Sequence, residues 1–476
     1  MDRLSALDTS FLHLEGPTTP MHISSLAIYE GPTPSAQEMR DMLASRLHLV
    51  PRFRQRIAEV PFNQHRPVWI DDVNFDLDAH LHHVALPSPG DEEQLKEFVC
   101  QLLATPIDRC RPLWEMWLID DLAGWSEATP SEGKRFALLS KVHHALWDGV
   151  TGADLHAVLL DATPEPENVK PEPWTPRPEP TKAQLLADAI RKRTMEPIKV
   201  MRAAGRADPS KVVAKAGELA SGAVASLATA VQPAPPCPLN APIGSRRRYE
   251  LVRTSLTDFK TVAKSSGCTI NDVVLAVVSG ALRRWMEERG TQPFDLRAMV
   301  PVSVRRKADR GVPGNKVSMF LVPLPVALVD PGRRLAEVHS VMKRNKQSGQ
   351  AQAADLVTEL AAFAPSQVVA GLTRLQSVGR MFNLVTTNIP GPQFPLYLLG
   401  RKLVDLFPQA PLAANQALSI AAMSYDGTMG FGLLADRDAL PDVDVIARGI
   451  DESLGELLSR CGEKQSPERE LATVVR

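Results

Sequence analysis

The chain has 476 residues and a formal net charge of −1, so no global electrostatic field attracts nucleic acid or an anionic membrane. Hydrophobic residues make up 44% and charged residues 23%, a globular balance that excludes wholesale disorder and predicts two domains of roughly 200 residues each. The five cysteines are scattered without CxxC spacing, which argues against a disulfide framework or a zinc site and indicates a reducing cytoplasm. With no apolar run of about 20 residues and no signal-peptide pattern at Met1–Ser5, we expect any lipid substrate to be met peripherally, at a membrane surface.

Strand-like and helical patterns alternate along the first third of the chain. We therefore predict that residues 1–160 form an N-terminal αβ lobe. The predicted strands are Ile23–Tyr29, Leu113–Asp120 and Arg135–Val142, and the predicted helices are Gln37–Leu49 and Thr151–Leu160.

Two proline clusters bound the middle of the chain. Residues 161–180 contain seven prolines in twenty positions, a density that no packed helix or strand tolerates, so they predict an extended linker. Residues 181–232 have helical patterns with alanine-rich and basic faces, and prolines cluster again over 233–242. We therefore predict a Pro-rich and helical crossover over 161–245. Its helices fit either a packed amphipathic connector or a helix at a lipid interface.

The remainder of the chain predicts a second αβ lobe over 246–462 and a flexible tail over 463–476. An Asp-Gly pair at Asp426–Gly427 predicts the tight turn of a hairpin. The predicted helices are Leu256–Ser265 and Thr269–Glu288, and the predicted strands are Val252–Leu256, Ala298–Val304, Val317–Leu324, Leu384–Ile389, Leu418–Ser424 and Gly430–Ala435.

One short stretch carries groups suited to catalysis. His143 and His144 end a buried-looking strand, where adjacent side chains point to opposite faces, so one ring can face a cleft while the other packs inward. A neutral imidazole with a pKa near ~6.5 can take a proton from a hydroxyl at neutral pH. Asp148 follows four residues after His144, with Gly149 permitting a tight turn. Asp148 could orient an imidazole or lock the loop through a basic partner, for which Arg305 is our prediction.

A histidine pair alone is a weak signal, because this chain contains a second one. His82–His83 is followed by no Asp-Gly, and we interpret it as a surface or core feature. A metal site is disfavoured at His143–His144, since neighbouring histidines on a strand seldom converge on one ion and no third ligand is evident.

The spacing His-His-x-x-x-Asp-Gly resembles the signature of a superfamily of CoA-dependent acyltransferases, which includes chloramphenicol acetyltransferase and peptide-synthetase condensation domains. Other stretches, in order along nearly the whole chain, resemble the bacterial wax ester synthase/diacylglycerol acyltransferase family. No Asp-Phe-Gly-Trp-Gly element occurs, which weakens the two other readings. The matching stretches are Leu7–Leu12, Pro20–His22, Arg111–Glu115, Thr269–Leu275, Pro301–Arg305, Gly314–Asn315, Asn388–Pro392 and Ser424–Gly427.

The resemblance implies a fold of two chloramphenicol-acetyltransferase-like αβ lobes with a substrate tunnel between them. His144 would lie in the tunnel and deprotonate the hydroxyl of a diacylglycerol or long-chain alcohol. The alkoxide would attack the acyl-CoA thioester, and His144 would then protonate the CoA thiolate. No acyl-enzyme is needed. CoA enters as part of a co-substrate, and neither a cofactor nor a metal is expected.

Several residues receive graded roles from the resemblance and from their own chemistry. Asn271 is the candidate to position substrate or support the oxyanion, and the alternative is that it caps a helix. Asp272 in the first helical turn and Asp148 are interpreted as structural. Trp114 fits the tunnel wall or, more often for this residue type, the core. The remaining candidates each have a plain alternative: Ser303 and Ser424 as tunnel hydroxyls or ordinary strand residues, and Arg305 as a contact for CoA phosphates or a solvated turn.

Two other functions stay open at this level. One is a carrier-protein-dependent condensation-type acyltransferase, and the other is a non-catalytic lipid-droplet binding protein. Intact His143, His144 and Asp148 argue against the second. We expect a cytoplasmic monomer or homodimer that contacts membranes or lipid droplets peripherally and binds no nucleic acid. The preference for wax esters or triacylglycerols stays undecided.

Overall fold

The computed structural model describes residues 1–123, 135–146, 158–192, 233–303, 317–347 and 380–465. Several predicted features lie outside the described residues: most of the helix over Thr151–Leu160, residues 193–232 of the crossover, Gly314–Asn315 and residues 466–476 of the tail.

Three sheets organise the described residues: one of three strands and two of six. The strands are β1 Asp2–Arg3, β2 His22–Glu30, β3 Gln55–Ala58, β4 Val68–Asp71, β5 Leu81–Ala85, β6 Trp114–Leu122, β7 Arg135–His143, β8 Arg247–Ser255, β9 Leu296–Ser303, β10 Val317–Leu324, β11 Leu384–Pro390, β12 Tyr397–Leu398, β13 Arg401–Gln409, β14 Leu418–Tyr425 and β15 Thr428–Asp436. The main helices are α1 Ala6–Leu14, α2 Ala36–Arg46, α3 Glu92–Ala104, α4 over 182–192, α5 Leu256–Ser266, α6 Ile270–Glu288, α7 Pro331–Gln347 and α8 Val443–Gln465.

The N-terminal six-stranded sheet has the order β12-β13-β2-β7-β6-β5. Strand β7 lies inside it between β2 and β6, and all nine of its residues are buried. The strands predicted over Ile23–Tyr29 and Arg135–Val142 are confirmed with shifts of a residue or two at their ends. Central placement explains the continuous apolar run Phe136–Leu139 in β7, because both faces of this strand are covered.

The C-terminal sheet has the order β10-β9-β11-β14-β15-β8, and α5 to α8 pack on it. Thirteen of the nineteen residues of α6 are buried, which makes this helix the centre of the lobe's apolar core. The predicted hairpin is confirmed as β14 and β15. Asp426 and Gly427 have φ angles of 40° and 84°, the two consecutive positive values that a two-residue type I′ turn requires.

The chain does not divide between the two large sheets in sequence order. Residues 397–409, which the sequence boundaries place in the C-terminal lobe, lie in the N-terminal sheet as β12 and β13. Strand β13 pairs with β2 and packs across β15, where a Cβ atom at Gly430 would lie 2.3 Å from the Leu406 carbonyl oxygen. Glycine is therefore required where β13 crosses β15. At this crossing the two large sheets are in direct contact.

The proline-rich linker is held against the small sheet β1-β4-β3. Arg177 binds the carboxylate of Asp71 at 2.7 and 3.0 Å and holds the pKa of that carboxyl well below its usual range. The Arg54 guanidinium lies 4.6 Å from the Trp174 ring centroid. Leu185 of α4 packs with apolar residues of β3 and β4. The linker therefore fastens α4 to the N-terminal lobe.

Among the described helices, none alone has the length and apolar composition to cross a membrane. The pair α5 and α6 passes that test together, but the two helices meet at 103°.

Candidate active site

The histidine pair lies where β7 ends and the chain turns. The His143 N–H donates to the Leu113 carbonyl at 2.9 Å, and the His144 N–H donates to the Met21 carbonyl at 2.8 Å. The Leu146 N–H then bonds back to the His143 carbonyl at 2.9 Å, closing a tight turn. Both peptide units are therefore anchored to neighbouring segments, as a precisely oriented pair of rings requires.

His143 is the inward-facing member of the pair. Its side chain is completely buried, and its Nδ1 atom accepts a hydrogen bond from the Ala145 N–H at 3.0 Å. Because Nδ1 accepts, a neutral His143 ring carries its hydrogen on Nε2. Nε2 lies 3.5 Å from Oε1 of Glu15. The turn backbone thus determines the tautomer and orientation of this ring, and the Glu15 carboxylate adds an electrostatic contact at Nε2.

Glu15 directly follows α1 and contacts several groups at once. Oε1 accepts from the Met21 N–H at 3.3 Å, and Oε2 accepts from Arg109 Nε at 2.6 Å. Burial raises the pKa of Glu15, but His143 and Arg109 together outweigh burial, and the net pKa is lowered. The carboxylate is therefore ionised at neutral pH.

His144 points the other way and is partly exposed. Its ring stacks on Phe11 with centroids 3.7 Å apart and planes 11° apart. Burial of the ring lowers the pKa of His144 to about 4, with a smaller contribution from His143, while a contact with its own backbone acts in the opposite direction. The Nδ1 atom is buried and finds no hydrogen-bond partner within the described part of the chain. His144 is therefore neutral at pH 7, as a general base must be.

Phe11 and Met21 lie in family-like stretches of the sequence that gave them no roles, whereas Glu15 and Arg109 lie outside those stretches and were not predicted. Phe11 and Glu15 are four residues apart, the spacing that puts side chains on one face of a helix. This spacing was the only available signal, and it is too common to identify a site without the tertiary contacts.

Asn271 and Asp272 begin α6 in the C-terminal lobe. The interpretation of Asn271 as the helix N-cap is wrong, because Thr269 is the N-cap and forms a capping box with Asp272. Asp272 is buried and also contacts His339 Nδ1 at 2.9 Å, so its role is structural. Asn271 is half-buried, and its side chain makes no hydrogen bond within the described residues.

Trp114 and Ser424 both have structural partners. Trp114 is fully buried, donates from Nε1 to the Phe53 carbonyl at 2.8 Å and stacks on the Phe53 and His80 rings. The core interpretation of Trp114 is therefore the one the geometry supports, although the residue lies on β6 opposite Val142, beside the histidine pair. Ser424 is buried, and its Oγ accepts from the Gly391 N–H at 3.2 Å and Gln393 Nε2 at 3.1 Å.

Two other candidates lie outside the described residues, and for a third only the backbone is described. Asp148 and Arg305 lie outside the described residues, so their pairing stays a prediction. Ser303 ends β9, where its backbone pairs with Val317, but its side chain is not among those described. No hydrogen bond, ion pair or ring contact within the described ranges joins Asn271 or Ser424 to the histidines.

A cavity of about 390 Å³ opens between α3 and β8. Its charges are paired, for example Lys96 with Glu250 at 2.6 Å, and neither His143 nor His144 lines it. The tunnel at His144 accordingly stays a prediction. In the part of the chain that the structure describes, no cluster of three or more His, Cys, Asp or Glu side chains could hold a metal ion.

Comparisons with known sequences match almost the whole chain. The model of the wax ester synthase/diacylglycerol acyltransferase catalytic domain matches residues 4–274, and the model of that family's C-terminal domain matches residues 313–458. A relative from Mycobacterium tuberculosis, named a probable diacylglycerol O-acyltransferase, is 34% identical over 473 residues, with 96% of each chain covered.

Solved structures agree. The wax ester synthase/diacylglycerol acyltransferase of Marinobacter aquaeolei VT8 superposes with a TM-score of 0.67 at 27% identity, covering 97% of this chain and 100% of the other. The starter condensation domain of rhizomide synthetase, bound to C8-CoA and Leu-SNAC, superposes with a TM-score of 0.59 at 13% identity, covering 97% of this chain and 94% of the other. The second match shows the two-lobed fold alone.

Proposed function

Because the chain belongs to the wax ester synthase/diacylglycerol acyltransferase family, it is an acyltransferase, and we propose that it transfers a long-chain acyl group from acyl-CoA to the hydroxyl of a diacylglycerol. Fatty alcohols are the second acceptor class and would give wax esters. The observation that carries the proposal is a neutral, partly exposed His144 at the end of β7, in the position of the family's His-His-x-x-x-Asp-Gly motif.

His144 acts as the base and then as the acid. With Nδ1 buried, Nε2 is the nitrogen left for the acceptor hydroxyl. As Nε2 takes the hydroxyl proton, the oxygen attacks the thioester carbonyl and a tetrahedral oxyanion forms. When the intermediate collapses, the C–S bond breaks and the imidazolium returns its proton to the CoA thiolate. The transfer is direct, and the imidazole ends in its starting state.

Other residues support this step. We assign Asn271 to the oxyanion or the acceptor hydroxyl, because its half-buried amide has no side-chain hydrogen bond within the described ranges. His143, buried and held by the turn, keeps the chain after β7 in place. Asp148 is assigned to locking the same loop through Arg305.

The acceptor assignment follows the curated relative, whose name specifies diacylglycerol. The test is purified protein with palmitoyl-CoA against dipalmitoylglycerol and hexadecanol in separate reactions, with free thiol and ester both measured. Thiol release matched by triacylglycerol, faster than by wax ester, is the expected result. Faster wax ester formation would reverse the acceptor preference, and no ester from free acyl-CoA would favour carrier-dependent chemistry.

We also propose that the protein meets its lipid substrates peripherally, from the cytoplasm. The hairpin between β3 and β4 exposes 80% of Phe62, at a positive φ of 59°, and Asn63 follows with φ 51°. Such backbone costs about 1–3 kcal/mol in a bulky residue and points to a function. The end of α4 lies beside this sheet and exposes Ile190 and basic side chains. An aromatic tip flanked by basic residues suits an anionic bilayer.

Vesicle flotation tests this surface. Phe62→Asp should reduce binding to vesicles of phosphatidylglycerol and phosphatidylcholine, while soluble turnover of short-chain substrates is kept. Val329→Asp is the matched control, since Val329 is 72% exposed on the other lobe. Equal binding by both variants and the parent chain would exclude the hairpin as the docking element.

A further inference from the structure

We propose that α1 and the residue that follows it form the positioning element of the active site, with Phe11 holding the ring of His144 and Glu15 holding His143. This inference rests on the proposed function of His144. It adds roles for two residues that the chemistry of the motif itself does not supply.

Glu15 reaches both histidines by separate routes. Oε1 lies 3.5 Å from His143 Nε2 and also accepts from the Met21 N–H at 3.3 Å. The carbonyl of the same Met21 accepts from the His144 N–H at 2.8 Å. One carboxylate oxygen therefore faces the His143 ring in an electrostatic contact and holds the backbone of His144 through a single intervening residue.

The carboxylate is itself held on its far side. Arg109 Nε donates to Oε2 at 2.6 Å, and Arg109 Nη2 donates to the Leu12 carbonyl in α1 at 2.7 Å. The Glu15 side chain is only 8% exposed, whereas Arg109 is 41% exposed, so the carboxylate is shielded from water and the guanidinium is partly solvated. Arg109 thus ties the end of α1 to the Glu15 carboxylate. Both oxygens of that carboxylate are engaged, which restricts its rotation.

Phe11 is positioned by the same helix. Its ring lies nearly parallel to the His144 imidazole at 3.7 Å, and Glu15, four residues later, donates its N–H to the Phe11 carbonyl at 3.1 Å. The helix start is secured by a capping box between Ser5 and Asp8. The stack sets the plane of the imidazole and keeps water from one face, leaving the ring edge for the substrate.

The surroundings of His144 limit what else could set its protonation. Among the described residues, His143 is the titratable neighbour whose charge acts on the His144 ring. The groups that face His143 are Glu15 from the end of α1, His22 opposite it on β2, Lys141 on β7 itself, and Arg109 behind Glu15.

The first experiment separates positioning from folding at Glu15. Glu15→Ala should lower kcat about 100-fold, and Glu15→Gln, which keeps the acceptor for Met21 but removes the charge, should recover part of that loss. The KM for palmitoyl-CoA should change less than about twofold in both variants, since a positioning residue acts on the rate of the chemical step rather than on binding of the acyl donor. Ser35→Ala removes the N-cap of α2 in the same lobe and controls for general destabilisation of that lobe.

The second experiment uses the pH profile of kcat/KM. Phe11→Ala should expose the imidazole to water and move the acid limb upward, toward the ordinary histidine value of about 6.5. Phe11→Tyr keeps the stacked ring and should keep the parent profile. A merely structural Phe11 would alter the melting temperature and leave the acid limb unchanged in both variants.

The outcomes distinguish this inference from the proposed function. If the parent chain forms no ester, or His144→Ala retains turnover, the proposed function fails first. If the parent chain is active while the Glu15 variants keep its kcat and Phe11→Ala keeps its acid limb, the positioning role of α1 is overturned and the function stands.

Discussion

The chain contains two pairs of consecutive histidines at strands of one sheet, and the surroundings of the two pairs differ. His82 and His83 lie on β5, the edge strand, where His83 Nε2 contacts Asp120 at 2.7 Å and His82 stacks on Trp117 at 4.1 Å. His143 ends the internal strand β7, and His144 begins the turn that follows it. The edge pair is half-buried or exposed, whereas the internal pair is covered by α1 and the turn.

The comparison indicates that burial and covering elements, rather than the histidine pair itself, create the setting that the proposed general base requires. On the edge strand, the exposed imidazole of His83 contacts the Asp120 carboxylate and faces solvent. At the end of β7, Phe11 replaces water on one face of His144, and the neighbouring turn removes the freedom of His143. Burial also lowers the pKa of His82, so what distinguishes the second setting is the completely buried His143 beside the ring and the hydrogen bonds that anchor both peptide units.

The largest expected effect comes from deleting the base. His144→Ala should lower the rate of ester formation by at least about 100-fold, since general base catalysis contributes that much or more. His83→Ala, in the other pair, is the matched control and should keep the parent rate. Turnover of palmitoyl-CoA with diacylglycerol measures both, and comparable rates in the two variants would remove the general-base assignment.

The next effect concerns stability. His143→Ala should lower the free energy of unfolding by about 2–4 kcal/mol, because a fully buried ring is lost and the Ala145 N–H loses its acceptor. His82→Ala on the edge strand should cost less than about 1 kcal/mol. Urea unfolding measures both variants. Parent-like stability in His143→Ala together with complete loss of activity would contradict this assignment.

The pH dependence sharpens the same contrast. A base must be unprotonated, so activity falls as the pH drops through its pKa. With the pKa of His144 lowered to about 4, kcat/KM at pH 5.5 should stay near its neutral value. A solvated histidine with a pKa of about 6.5 would lose roughly tenfold over that range. An acid limb near pH 6.5 in the parent enzyme, on protein shown to be folded, would contradict the buried setting of His144.

The smallest expected effect is in the C-terminal lobe, where Thr269 and Asn271 lie at the start of α6. Asn271→Ala should lower kcat about tenfold with little change in melting temperature, because the helix cap is Thr269. Thr269→Ala should do the reverse, costing about 1 kcal/mol of stability and leaving kcat nearly unchanged. A purely thermal defect in Asn271→Ala would return that residue to a structural role.

Local patterns predicted much of this architecture. The β7 strand, the turn at Asp426–Gly427 and the α6 helix follow from apolar runs, turn chemistry and period, which depend on neighbours in sequence. The start of α6 was also predicted, but of the two alternatives for Asn271 the helix cap was wrong, because both Thr and Asn suit that position and only the hydrogen bonds show that Thr269 and Asp272 form the cap.

The candidate site was likewise predicted only in part from the sequence. The motif named His143 and His144, but Glu15 and Arg109 are 94 residues apart and meet only when the end of α1 packs beside β6 and β7. The sequence boundaries likewise could not place β13, since its partner β2 lies at the other end of the chain.

The sequence by itself determined the family, the order of most strands and helices, and the candidate for the base. The tertiary structure alone decided which ring of the pair is sealed, what stacks on the other, and how β13 joins the lobes. The physical reason is that strand and turn preferences are encoded within a few residues, whereas desolvation and ion pairing depend on contacts between distant segments.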